Sequence, residues 1–143
     1  MTYAETHGQE LESDYPYTAR TGTCQDSGKG TVDVKNIAQV QASSVDQLKA
    51  AIAQGPVSVT VEADRRVFQM YKSGVLDSSL CGTNLDHAIT AVGYGTENGK
   101  DYYLVRNSWG ASWGDEGYIK IAATKDGKGV CGIQQISVWP TTD

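Results

Sequence analysis

A histidine, an asparagine and three cysteines are the residues of this 143-residue chain whose types and spacing could support covalent chemistry. His87 opens the apolar run "HAITAVGYG", and Asn107 follows the run "DYYLVR". Asn98-Gly99 lies between the runs and is a strong hairpin-turn signal. The turn comes 11 residues after His87 and 9 before Asn107, so antiparallel pairing returns the asparagine to the histidine within a residue or two of register. An amide oxygen beside an imidazole accepts the ring N–H, which selects one tautomer and aims the other nitrogen. That is the orienting role of the third member of a nucleophile–histidine–X triad. Trp109 and Trp113 follow in "NSWGASWGDEGY", two indoles suited to shielding such a bond from water. The simpler reading of the same residues is a core histidine and a turn asparagine.

Cys24, Cys81 and Cys131 are odd in number, so at most one bridge closes within the chain. There is no CxxC or HxxxH spacing, and His7 lies far from His87, so no metal site and no cofactor are expected. The 17 acidic residues outnumber 12 basic ones, for a net charge of −5 without a basic cluster. That balance argues against nucleic acid and anionic membranes as partners. No apolar run approaches the ~20 residues of a membrane span, and "MTYAETHGQE" does not read as a signal peptide. The glycine-rich stretches "SGKG" and "GYGTENG" lack the strand–loop–helix context of a phosphate cradle and read as turns.

The elements that must position these residues read as an α+β domain dominated by strands, with 1–143 as a single domain. Residues 1–30 read as ordered loop. The one strong helix is about 44–54: Ser44 and Gln47 fit a capping box, Val45, Leu48 and Ile52 form an apolar stripe, and Gly55-Pro56 ends it. "VSVTVEA" alternates as a half-buried strand, and "DRRVFQMYKSG" reads as one or two helical turns. After the hairpin, "GYIKIAA" and "IQQISVW" read as two more strands separated by the turn "KDGKG".

Five stretches together resemble the papain-like cysteine peptidases of the papain and cathepsin L type: "ESDYPYTA", "QGPVSV", "CGTNLDHAITAVGYG", "YYLVRNSWGASWGDEGYIKI" and "GVCGI". The resemblance covers essentially the whole chain in the family's order. It implies the β-rich lobe of that fold, an antiparallel barrel-like sheet carrying the histidine, with 1–30 as segments that normally touch the helical lobe. It makes His87 the general base and acid, Asn107 the residue that orients it, and Trp109, supported by Trp113, the cover of that bond. It further implies a Cys81–Cys131 disulfide. The substrate pocket falls on Thr60, Leu85, Asp86 and Ala88, with Ile136 at its floor, a shallow uncharged site preferring aliphatic residues; the simpler reading of Ile136 is a core residue. A disulfide of this kind implies a lysosomal, vacuolar or secreted parent enzyme. Peptide and protein substrates, protein inhibitors and a propeptide are the partners the family implies.

One part of the pattern is missing. The family's nucleophile lies in a C-G-[SA]-C-[WY] stretch about 130 residues before the histidine, whereas 86 residues precede His87 here. Cys81 and Cys131 match bridge positions, and Cys24 matches a cysteine whose family partner lies outside the chain. The expectation is therefore the histidine-bearing lobe of a cysteine endopeptidase, inactive alone and needing a cysteine-bearing half; Met1, at a mid-chain family position, suggests truncation. An inactive peptide-binding module of the same fold is the alternative, and another Cys–His–Asn acyl transferase fits the motifs less well.

Overall fold

Hydrophobic periodicity sets the architecture, seen here in a computed structural model that describes residues 2–28 and 30–141. The described residues divide into two compact units, 39–139 and 2–38 (without 29) with 140–141.

The larger unit is built on its strands. Helix α2, Val45–Ile52, begins at Ser44, whose hydroxyl accepts the Gln47 amide at 3.3 Å. It buries Leu48, Ala51 and Ile52, and Val45 packs against the same core. Strand β2, Val57–Val61, follows with the alternation its sequence dictates: Val57, Val59 and Val61 are fully buried, and Ser58 and Thr60 are partly covered. A single turn, α3 at Arg66–Gln69, buries Phe68. Then come β3 (Val75–Leu76), a 3₁₀ turn at Ser79–Cys81, β4 (His87–Glu97), β5 (Lys100–Arg106) and β6 (Tyr118–Ala122). A second 3₁₀ turn at Val130–Gly132 leads into β7 (Ser137–Thr141), which continues into the smaller unit.

The strand order in this unit is β7-β2-β4-β5-β6-β3. Its pairings are antiparallel except β3 with β6, which is parallel. The hairpin turn is the expected one: Glu97 pairs with Lys100, and Asn98 and Gly99 both take positive φ, 49° and 75°. A bulge between Ala91 and Gly93 leaves Val92 as the additional residue of β4. The core between these elements includes Phe68, Tyr103, Val105, Ile119, Ile121 and Ile133. It also holds the Cys81–Cys131 disulfide, which ties the two 3₁₀ turns together.

Two expectations need correcting. In the smaller unit, part of the 1–30 loop is helix α1, Thr2–His7, where Thr6 returns its hydroxyl to the Tyr3 carbonyl and His7 stacks on Tyr3 one turn back. The last strand also starts later than "IQQISVW" suggests. Residues 133–135 instead form a turn and bend after the disulfide, where Gln134 is buried and bonded at both ends: its amide donates to the carbonyls of Lys125 and Gly127, and its oxygen accepts from Tyr103. The smaller unit also contains most of β1, Asn36–Gln39, and the Lys35 amide there donates to the Thr141 carbonyl.

Candidate active site

His87 is the first residue of β4, opposite Val61 of β2, and Asn107 is the first residue beyond β5. Continuing the Thr90–Arg106 register makes Asn107 a diagonal neighbour of His87 on the same face of the hairpin. The two side chains meet: His87 Nε2 lies 2.9 Å from Asn107 Oδ1.

The same oxygen accepts the Ser108 backbone N–H at 2.8 Å, which settles the identity of the amide atoms. A backbone N–H can only donate, so Oδ1 is the acceptor, and the imidazole must donate to it through Nε2–H. In the neutral ring, the Nδ1 lone pair is then free to take a proton. No hydrogen-bond partner faces Nδ1 among the described residues. Asn107 is only 7% exposed, and its Nδ2 is buried without a partner among the described residues. Leaving such a donor unpaired costs about 1–3 kcal/mol.

Trp109 stacks on the imidazole with ring centroids 5.1 Å apart and planes at 28°. It remains 41% exposed, so it covers the ring from one side and does not seal it. Trp113 does not reach the histidine. It meets the edge of Trp109 at 5.3 Å, packs on Phe68 and Tyr71, and donates its indole N–H to the Gln69 carbonyl at 3.0 Å. Phe68 meets Trp109 at 5.6 Å edge to face. The turn at α3 and the glycine-rich stretch after Asn107 therefore hold Trp109 in place from behind.

Of the expected pocket residues, Thr60 and Ala88 lie on the paired strands β2 and β4, Leu85 and Asp86 lie just before β4, and Ile136 lies just before β7. Thr60 is paired with Ala88, and its amide and hydroxyl both donate to the Ile136 carbonyl at 3.2 Å. Ile136 is 49% exposed, so its side chain is not spent in the core. Leu85 is half-buried against Gly132, where a Cβ would come within 2.8 Å of its methyl. Asp86 uses its carboxylate on the backbone, accepting the Ala63 and Asp64 amides at 2.7 and 3.2 Å.

Sequence reasoning missed Glu62. The alternation of "VSVTVEA" assigns it to the same face as Ser58 and Thr60, yet it is 1% exposed. Its carboxylate accepts the Asn84 backbone N–H and lies 2.5 Å from Arg65 Nε. The Asn84 bond, followed by Arg65, holds this carboxyl below the usual range despite its burial. Of the three cysteines, Cys81 and Cys131 are joined and buried, and Cys24 is exposed. No group of three or more metal-ligating side chains is gathered among the described residues.

Residues 1–141 match the family model described as papain family cysteine protease. The chain is 49% identical over 136 residues to the probable cysteine protease RD21B of Arabidopsis thaliana, spanning 93% of this chain and 29% of that protein. With papaya proteinase 4 of Carica papaya it shares 45% over 143 residues, spanning 98% of this chain and 41% of that protein. Among solved structures it resembles the bromelain protease from Ananas comosus, solved with an inhibitor bound. That match has a TM-score of 0.91 and 38% identity, covering 99% of this chain and 67% of the other. The chain thus spans less than half the length of those two relatives. By the family match and this likeness of fold, the chain belongs to the papain family of cysteine proteases, as the C-terminal lobe of the family's fold.

Proposed function

We propose that this chain is the acid–base half of a cysteine endopeptidase and that His87 acts on a thiol supplied from outside the chain. The observation that carries the reading is the 2.9 Å contact between His87 Nε2 and Asn107 Oδ1, with Ser108 fixing the amide. It leaves Nδ1 as the working nitrogen. A cysteine thiol placed there transfers its proton to Nδ1, giving a thiolate beside an imidazolium. The thiolate attacks the peptide carbonyl, Nδ1–H protonates the departing amine, and the imidazole then takes a proton from the water that cleaves the acyl-enzyme. Asn107 keeps the ring in one tautomer throughout, and Trp109 limits water on one face.

None of the resident cysteines is suited to the thiol role. Cys81 and Cys131 are oxidised, and Cys24 matches a family cysteine that is itself disulfide-bonded, with its partner outside the chain. On this reading the nucleophile comes from a cysteine-bearing half, and residues 1–30 are segments that touch it. Thr60, Leu85, Asp86, Ala88 and Ile136 border the pocket for the substrate residue two before the cut. The partly exposed Ile136 favours a shallow apolar floor that accepts leucine or valine and disfavours arginine. Peptides and proteins are the substrates, protein inhibitors and a propeptide are further partners, and the buried disulfide fits a vacuolar, lysosomal or secreted setting.

The test is complementation. The purified chain alone should cleave no peptide, and mixing with a cysteine-bearing papain-family half should produce turnover that His87→Ala abolishes. Turnover by the isolated chain that is lost in Cys24→Ala would make Cys24 the nucleophile. A chain that binds peptides but never complements would be a binding module.

A further inference from the structure

Residues Gly82–Asp86 deliver the chain to His87, and side chains from elsewhere hold them. Among the described residues, no backbone-to-backbone hydrogen bond is made by Thr83, Asn84 or Leu85. From one side the Glu62 carboxylate accepts the Asn84 N–H. It also fills the space beside Gly82, where a Cβ would come within 2.2 Å of the carboxylate. From the other side Gln135 Nε2 donates to the Thr83 carbonyl at 2.9 Å. Both holders stand on fixed ground. Glu62 directly follows Val61, the residue opposite His87, and its amide donates to the Cys131 carbonyl at 2.8 Å. Gln135 directly precedes Ile136, whose carbonyl is bonded to Thr60.

Resting on the peptidase reading, we propose that Glu62 and Gln135 are positioning residues that clip loop 82–86 so that Leu85 forms the pocket wall and His87 enters β4 opposite Val61. A buried carboxylate is costly unless its oxygens are bonded, and an apolar residue of similar volume often serves stability equally well. An apolar residue cannot hold the Asn84 N–H. The two oxygens of Glu62 are divided between the loop and Arg65, which is half exposed, so the charge is anchored from the solvent side while the bond to Asn84 works inside. The opposite clip, Gln135, acts one residue from the pocket floor. Wall and floor are thereby set by the same pair of side chains.

Nuclear magnetic resonance on the 143-residue chain tests this without any activity. In the wild-type chain, the Asn84 amide should exchange with solvent at least tenfold more slowly than those of Thr83 and Leu85, since it is the one with a buried acceptor. In Glu62→Leu, no oxygen remains to accept the Asn84 N–H. The Leu85 methyl and His87 imidazole signals should then shift and broaden, while those of the sheet core stay. Gln135→Ala should move the same signals from the other side and serves if Glu62→Leu does not fold. Glu97→Gln removes an equal charge from the Lys120 pair on the far end of the hairpin and should move neither signal. In the complemented enzyme, either clip variant should raise KM for substrates with leucine two residues before the cut by about tenfold, and lower kcat less. An Asn84 amide exchanging as fast as its neighbours, or Leu85 and His87 signals unmoved in both clip variants, overturns the proposal. Failure of the wild-type chain to complement overturns the peptidase reading alone, because the spectra still decide the clip.

Discussion

Replacing Cys81 and Cys131 together by alanine opens a loop spanning 50 residues, and the resulting loss of stability can be worked out in advance. In the chain-entropy model the bridge removes about 14 cal/mol/K from the unfolded ensemble for a loop of that length, or ~4 kcal/mol at 25 °C. Both cysteines are buried among core residues, 0% and 1% exposed, so removing their sulfurs also costs packing. Against the 5–15 kcal/mol typical of a whole domain, the variant should remain folded but near the margin. At roughly 3 °C per kcal/mol for a chain of this size, the melting temperature should fall by roughly 12 °C. Urea unfolding followed by tryptophan fluorescence and by circular dichroism measures the loss directly. The double variant should also show a steeper dependence on urea, since its unfolded chain is less compact. Cys24→Ser is the control, exposed and outside the bridge, and should stay within about 0.5 kcal/mol of the parent. A thiol count on the unfolded, unreduced parent should find one free sulfhydryl. A loss below about 1 kcal/mol with an unchanged urea slope would show that loop closure does not stabilise this fold, and three free thiols would remove the bridge itself.

Three other outcomes follow from single residues. Asn107→Ala removes the acceptor of the imidazole N–H, so ¹⁵N spectra of neutral His87 should change from protonation at Nε2 alone to a mixture of tautomers; an unchanged spectrum would mean that Asn107 does not select it. Ser44→Ala deletes the hydroxyl that accepts the Gln47 amide and should cost about 1 kcal/mol in urea unfolding, with no effect meaning that the cap is idle. Glu62 and Asp101, the latter held down chiefly by Lys49, both have depressed carboxyl pKa values in the folded chain. Their contribution is therefore fully present above the ordinary carboxylate range near 4.3 and fades as pH falls through the lower folded values. Unfolding measured between pH 6 and pH 3 should show that loss, with a shallower acid limb in Glu62→Gln; parallel limbs would count against the depressed Glu62.

The dyad was legible because everything that assembles it is local. One Asn-Gly turn between two strand runs brings Asn107 back to within a residue or two of His87, as the sequence indicates, and the bulge at Val92 takes up the unequal arms so that the two share a face. Helix α2 was legible for a similar reason, since Ser44, the apolar stripe and Gly55 mark its start, face and end. Trp113 shows where that kind of reading stops. Two indoles after an asparagine suggest a shared cover, but their division of labour depends on Phe68 and Gln69, roughly 40 residues earlier, which claim Trp113 for the core and leave Trp109 on the histidine. Glu62 was illegible because strand alternation speaks only about neighbours along the chain. Its burial is decided by Gly82, Asn84 and Arg65, and the short-range pattern carries no trace of the loop that folds over it.

The division between local and distant contributions bears on how such a half-site could work. The tautomer of His87 is set by Asn107 and the ring is covered by Trp109, which the Phe68 turn backs, so the imidazole is held in one tautomer before any nucleophile arrives. An imidazole free to rotate would have to be ordered at the moment of proton transfer, and misplacement by about 1 Å can cost a factor near a hundred. The fold meets that cost in advance, and it leaves a mark in Asn107 Nδ2, a buried donor with no partner among the described residues. Packing that gave Nδ2 an acceptor by turning the amide over would face the Ser108 N–H and the imidazole N–H with donors, destroying both bonds. One oxygen serving two donors thus fixes which way the amide faces, and Nδ2 lies on the other side. Stability is given up at Nδ2 so that Nδ1 can be free and correctly aimed.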